Sequence, residues 1–304
     1  MAACSGVPGT LSITREVMRK GAGAGIFCGM LSGNSPVGTL LRRWRERGGM
    51  TQLALALQAR VSARHLSFVE TGRAQPSREL LLRLSEELEV PLRERNTLLA
   101  AAGLAPMYRE RALHDDSLGA AREAIELLLQ AHKPFPAFAL DRHWNIVASN
   151  GAMAQLYAGV AQALMRPPVN ALRISLHPQG FAPRIVNLAQ WRGHLLARLR
   201  RDIESSTDAV LTELMKEVSA YPVEGEDDTF SDGAAEHALA VPFKIRSPAG
   251  LLSFYSTTTV FGRPMDVTLS ELAIEAFFPA DVATAEAVRR LDSRGAIRGP
   301  LARM

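Results

Sequence analysis

Cysteine is almost missing from this chain: Cys4 and Cys28 are the only two among 304 residues, and both precede the first clear helical pattern. With so few, neither a disulfide framework nor a CxxC metal cage can be built, and the expected compartment is a reducing cytoplasm. Aromatic residues make up 6% of the chain, and no apolar run reaches the roughly 18 residues a bilayer span requires. A membrane is therefore not among the expected partners. No GxSxG elbow, HExxH, P-loop or GxGxxG occurs. His177, His194 and His237 are scattered rather than set at motif spacing, so no catalytic residue, no metal ligand and no cofactor is expected. An enzyme fused to another module stays as an alternative class. Acids are scarce across the first clear helical pattern. Residues 37–76 hold Arg42, Arg43, Arg45, Arg47, Arg60, Arg64 and Arg73 against Glu46 and Glu70, while the whole chain carries a net charge of just +4. A local excess of that kind suits a polyanion, or a solvated basic face.

What the chain does have is enough apolar residue, 47%, to bury ordinary cores, and its length suggests two domains. Residues 1–36 lack periodicity and are expected to be a disordered leader, or extra residues from an upstream start codon. From 37 to 107 the pattern is helical and punctuated. Val37, Leu41 and Trp44 fall at helical spacing, and Gly48-Gly49 stops them. Thr51 and Ser62 can cap the next two helices, Gly72 stops the third, and Pro76-Ser77 and Pro91 open two more. Five short helices make a compact all-α domain. Residues 108–117 read as a linker. Residues 118–285 mix two amphipathic helices, LAQWRGHLLARLRRDIE and DAVLTELMKEVSAY, with two hairpins, FALDRHWNIVASN and LAVPFKI-SPAG-LLSFYSTTTVF. The alternation in TLSELAIEAFF argues an edge or half-buried strand. The second domain is thus α+β with an antiparallel sheet. EGEDDTFSDGAAE reads as an acidic loop and 286–304 as a tail.

In the first domain, helix two, a tight turn and helix three form a helix-turn-helix if helix three faces outward. Leu53, Ala56, Leu57, Leu66 and Val69 are the expected inner face. Ala63, Arg64 and Ser67 then point out near the start of helix three, where a recognition helix meets the major groove. Arg64 can read a guanine or contact a phosphate. His65 suits the phosphate side. Phe68 either faces the groove edge or packs on helix one. Gln52, at the start of helix two, can hold a phosphate. Ser62 and Arg73 complete the expected DNA-binding set. The stretch TQLALALQARVSARHLSFVETGRAQPS resembles the Xre-type, lambda-repressor-like helix-turn-helix, through Thr51-Gln52, Ala56, Val61-Ser62, Leu66, Glu70-x-Gly72-Arg73 and Pro76. The resemblance implies an ion pair between Arg45 and Glu70 that is structural rather than DNA-reading. The sequence departs from that family at Arg60, where the turn usually has glycine. Arginine can hold the left-handed conformation there at a cost of roughly 1 kcal/mol.

Further along, FPAFALDRHWNIVASN, PVNALRISLHPQGFAPRIVNLAQWRGHLLARLRR and LSFYSTTTVFGRPMDVTLSELAIEAFFPAD resemble the MmyB-like ligand-binding domain. The resemblance implies a PAS-like domain behind an Xre-type DNA-binding domain, and fatty-acid binding. A lipid pocket needs an apolar wall with a few polar groups at its mouth. Phe135, Phe138, Trp144, Trp191, Phe254, Tyr255, Phe261 and Phe278 are candidates for the wall, or plain core. Arg173, His177 and Arg184 could meet a carboxylate, or brace their own loop. The expectation is a homodimeric, sequence-specific regulator of transcription that binds double-stranded DNA and senses a small apolar ligand such as a fatty acid. The alternative is an antitoxin-like interaction module with no ligand.

Overall fold

A computed structural model describes residues 36–206, 208–222, 241–262 and 265–295. Residues 1–35, the acidic stretch 224–236 and His237 lie outside them. The N-terminal domain holds α1 (Pro36–Arg47), α2 (Gln52–Gln58), α3 (Ala63–Glu70), α4 (Arg78–Glu87) and α5 (Leu92–Ala101). Leu41, Leu55, Leu66, Val69 and Leu84 are buried completely in its centre. Gly38 lets α1 lie against the end of α3. A Cβ there would meet the Val69 carbonyl oxygen at 2.5 Å and that of Glu70 at 2.6 Å, closer than any side chain tolerates.

The caps read from the sequence are formed. The hydroxyls of Thr51, Ser62 and Ser77 accept from the backbone N–H groups of Ala54, His65 and Leu80 at 3.1, 3.1 and 3.2 Å. All five helices end alike, in a Schellman motif with one residue at positive φ. Three of these positions are glycine, Gly49, Gly72 and Gly103; the other two are Arg60 (φ 54°) and Glu89 (φ 49°). At Arg60 the motif is complete, since the Val61 N–H reaches the Ala56 carbonyl at 2.9 Å and the Arg60 N–H reaches that of Leu57 at 3.2 Å. The departure from glycine therefore leaves the turn geometry intact.

One expectation fails in α2. Leu53 and Leu57 are 61% and 69% exposed, and Leu55, Ala56 and Ala59 are the buried residues. The run QLALALQ is apolar nearly all round, so its own pattern cannot say which face turns inward.

The C-terminal domain begins with α6 (Gly119–Ala131) and holds a five-stranded antiparallel sheet. Its strands are β1 (Ala137–Leu140), β2 (Ile146–Ser149), β3 (Phe243–Ser247), β4 (Gly250–Val260) and β5 (Ala273–Pro279), in the order β2-β1-β5-β4-β3. Strand β5 is central, not an edge. Its alternation is broken because both faces are covered: Ile274 packs under α6 with Ile125 and Leu129, and Phe277 faces the other side. Opposite α6 lie α7 (Met153–Leu156), α8 (Ala171–Leu176), α9 (Leu188–Ser206) and α10 (Ala209–Ser219). Their residues Leu172, Trp191, Leu199 and Leu214 form one core with Phe138, Phe243 and Phe277 of the sheet. A one-turn α11 (Val267–Ser270) precedes β5, and α12 (Val282–Gly295) follows it, running past residue 285, where the sequence pattern places the domain's end.

The expected linker is pinned at both sides. The Asn96 side chain of α5 accepts from the N–H groups of Met107 and Tyr108 at 2.9 and 3.0 Å, and the Val267 N–H donates to the Arg109 carbonyl at 2.8 Å.

Candidate functional site

The outward face of α3 carries Arg64 and His65, both exposed, with Ser67 half-buried and Arg73 exposed just beyond the helix. Arg64 lies over the Phe68 ring at 5.4 Å. Phe68 is half-buried, so its ring supplies a ledge that holds the guanidinium on the helix surface. Ala63 packs against the domain core, and the Ser62 hydroxyl is occupied as the helix cap. Below this surface Arg45 donates to both Glu70 oxygens, at 2.7 and 3.0 Å, and to the Met50 carbonyl at 2.8 Å. The Glu70 carboxylate holds the Arg45 guanidinium above its usual pKa. The expected ion pair is present. Gln52 donates its amide to Glu70 at 2.8 Å, so the start of α2 and the end of α3 share one carboxylate. Of the seven arginines, Arg47 points elsewhere: it stacks on Trp44 and donates to the Ser205 carbonyl in the other domain at 3.3 Å.

In the C-terminal domain, a cavity of about 50 Å³ lies between the sheet and α7–α9. Phe138, Trp144 and Trp191 line it, as expected, together with Met153, Tyr157, Leu195, Arg198, Phe243, Glu275 and Phe277. The other expected residues are not in its wall. Phe254 is wholly buried in the core. Phe261 packs on the α6 side of the sheet, and Phe278 is 45% exposed, edge-on to His132. Phe277 takes the place expected of Phe278, because consecutive strand residues face opposite ways. Phe135 packs at the border of the core, and Tyr255 is 43% exposed.

Nor do the expected head-group residues reach the cavity. Arg173 is held by Glu217 of α10 at 2.7 and 2.8 Å, a brace between two helices. His177 accepts from the Gln179 N–H through Nδ1 at 3.0 Å and meets Tyr221 edge-on. Arg184 donates to the Leu156 carbonyl at 2.6 Å and lies over Phe181. The polar groups that do line the cavity had no motif to announce them. Arg198 donates to Glu275 at 2.8 Å and lies 4.6 Å over Trp144. Glu275 also accepts from the Thr258 hydroxyl at 3.0 Å. The Trp144 indole N–H donates to Asp202 at 2.9 Å, and burial nevertheless pushes the Asp202 carboxyl above its usual pKa. Trp144 itself sits at φ 65°; a large residue in that conformation is uncommon and clusters at functional sites.

Residues 121–291 match the family model of the MmyB-like transcription regulator ligand binding domain. The chain belongs to this family. Residues 41–95 match the helix-turn-helix family model, so the chain is a DNA-binding transcription regulator with an Xre-like head and an α+β ligand-binding domain. No curated protein matches it. Among solved structures, one similar chain is the clp gene regulator ClgR from Corynebacterium glutamicum, at 29% identity over 33% of this chain and 93% of that one, with a TM-score of 0.21. Another is an RNA-binding Light-Oxygen-Voltage receptor, at 13% identity over 96% of this chain and 69% of that one, with a TM-score of 0.22.

The regulator's two domains meet at a polar cleft of about 680 Å³, lined by Arg93 and Glu94 of α5 on one side and by Arg142, Arg201, Asp202 and Glu271 on the other. Leu140, Trp144, Arg198 and Glu275 line both this cleft and the cavity, so they are the partition between the two. Arg93 clamps the cleft's end. It donates to Glu271 at 2.7 and 2.9 Å and to Glu110 at 2.8 and 2.6 Å. Glu271 lies just before β5, and Glu275 and Phe277 lie on it. One strand therefore runs from the DNA-binding domain's clamp to the cavity wall. No described helix is long and apolar enough to cross a membrane.

Proposed function

We propose that this regulator is a homodimeric, sequence-specific cytoplasmic DNA-binding protein whose C-terminal cavity takes a small apolar ligand such as a fatty acid. The observation that carries this reading is the cavity itself, walled mostly by aromatic and aliphatic side chains and sharing its partition with the interdomain cleft. Its 50 Å³ falls well below the 300–1,000 Å³ of ordinary ligand pockets. A chain of more than a few carbons enters only as the walls part, and the walls shared with the cleft are Leu140, Trp144, Arg198 and Glu275. Entry past Glu275 displaces a residue of β5, and β5 leads to the Arg93 clamp. A ligand that favours one placement of that strand shifts the relative population of two head arrangements. In a homodimer, the two recognition helices would meet half-sites roughly 34 Å apart, so a small change in head placement alters operator fit.

On the DNA side, Arg64 reads a base, while Gln52, Arg73 and His65 serve the phosphate backbone. Gln52→Ala is expected to weaken specific and non-specific binding alike, in a gel-shift series on both DNAs; a loss confined to the operator overturns the phosphate role. The ligand reading is tested by native mass spectrometry of the purified full chain, followed by melting curves with added fatty acids. A bound lipid, or a concentration-dependent rise in Tm, supports it. No lipid and no shift would sink it, and leave the interaction module without a ligand.

A further inference from the structure

Among the described residues, two buried side-chain oxygens lack any hydrogen-bond partner, Tyr157 Oη and Asp266 Oδ2, and only the first belongs to a residue lining the cavity. Buried polar atoms are nearly always paired, because an unmade hydrogen bond away from water costs on the order of 1–3 kcal/mol. The other polar groups in the cavity wall each have a partner within the fold. Ser175 accepts from the Trp191 indole N–H at 2.9 Å, and Arg198 and Glu275 hold each other, with Thr258 as the third member. Tyr157 is placed firmly. Its backbone N–H caps α7 through the Met153 carbonyl at 3.2 Å, and its ring stacks on Phe181 with centroids 6.2 Å apart and planes 21° from parallel. The ring is thus fixed by backbone and packing, and the hydroxyl is not needed to hold it.

We propose that the Tyr157 hydroxyl is the ligand-recognition group of the cavity, donating a hydrogen bond to an oxygen of a chain-like amphiphile whose polar end is buried rather than left at the mouth. This rests on the reading of the cavity as a ligand site and adds to it the side chain that holds the ligand's polar end. Burial pushes the phenol above its ordinary pKa, so it remains a donor throughout the physiological range. A carboxylate, a carbonyl and a hydroxyl share the needed chemistry. The cavity wall's cation, Arg198, is neutralised by Glu275, so a free positive charge does not select the carboxylate among them.

The test uses the full chain, wild type and Tyr157→Phe, with octanoate, 1-octanol and octane as probes in calorimetric titrations and melting curves. Tyr157→Phe keeps the ring and its stack. Without ligand, the variant is expected to be at least as stable as wild type, since it loses an unpaired buried hydroxyl. With ligand, it is expected to bind octanoate and 1-octanol roughly three- to tenfold more weakly, the range for one lost hydrogen bond, while octane binds both proteins equally. Equal affinity of the two proteins for the oxygenated probes overturns the proposal while leaving the cavity as a ligand site. So does octane binding to wild type as tightly as 1-octanol. If none of the three probes binds wild type, the ligand reading itself falls, and this inference with it. A lower melting temperature of the unliganded variant also counts against it, because the hydroxyl would then have a partner within the fold.

Discussion

Among the described residues, each domain holds an arginine that pairs with a buried glutamate, and the two pairs differ in what surrounds them. Arg45–Glu70 leaves 9% and 2% of its side chains exposed and is saturated by further partners, Met50 O and Gln52. Arg198–Glu275 leaves 20% and 6% and stands between an apolar cavity and a polar cleft. Burial of a charge pair is by itself weak evidence for stability, because desolvation offsets most of the attraction. What such a pair fixes is geometry. The first pair ties α1, the start of α2 and the end of α3 into one unit, so the recognition surface is presented as a rigid body. The second holds a partition that can be pushed aside, since Arg198 has solvent in the cleft to turn into.

The largest expected effect separates the two pairs directly. Glu70→Ala leaves Arg45 and Gln52 without their shared acceptor and should cost about 3–5 kcal/mol, the range for a broken buried pair. Glu275→Ala should cost clearly less, about 1–2 kcal/mol, because the freed Arg198 can be rehydrated from the cleft. Urea unfolding of the full chain measures both. Equal losses would break the comparison and make the partition as rigid as the lock.

Next in size is Arg64→Ala. A base reader contributes about 1–3 kcal/mol of discrimination, so operator binding should fall by that amount while binding to random DNA changes little. Equal losses on both DNAs would turn Arg64 into a phosphate contact. Of similar size is the coupling through Arg93. Arg93→Ala removes the clamp to Glu271 and Glu110 but touches neither the cavity nor α3. Ligand affinity should be unchanged, while the effect of ligand on operator affinity, on the order of 1–3 kcal/mol for ordinary allostery, should largely vanish. Retained coupling would show that β5 is not the path.

Where the chain's own pattern sufficed, the reason was local. Caps and stops are decided within four residues, so Thr51, Ser62, Ser77 and Gly72 could be placed from sequence. The Arg45–Glu70 pair was accessible only through the family resemblance. The cavity was not accessible in the same way. Trp144 and Trp191 were found by their size, but Phe277 was hidden beside Phe278, and only the pairing of β5 with β1 and β4 says which of the two points inward. Arg198 sits in ARLRRD, which reads like any solvated basic face. Tyr157 ends a helix of four residues with no motif around it. In each case the decisive fact is the face turned to a distant element, which periodicity in a doubly covered strand or an all-apolar helix does not encode.

The smallest effect returns to the helix ends, where two non-glycine residues hold the same left-handed conformation. Arg60 and Glu89 both close Schellman motifs, at φ 54° and 49°, and both are exposed. Replacing either by glycine relieves the strain, expected at about 1 kcal/mol, less the added freedom of the unfolded glycine. Arg60→Gly and Glu89→Gly should therefore raise the stability of the chain by similar, modest amounts. They should differ on DNA. Arg60 precedes the recognition helix within the arginine-rich stretch, so its loss removes one cation from the polyanion-facing side and should lower the salt dependence of DNA binding by about one phosphate contact. Glu89 lies at the far end of α4, and its replacement should leave the salt slope as it is. If both variants gain stability and neither changes the slope, Arg60 is there for the turn alone. If Arg60→Gly gains stability and loses slope, the strained arginine is kept for its charge.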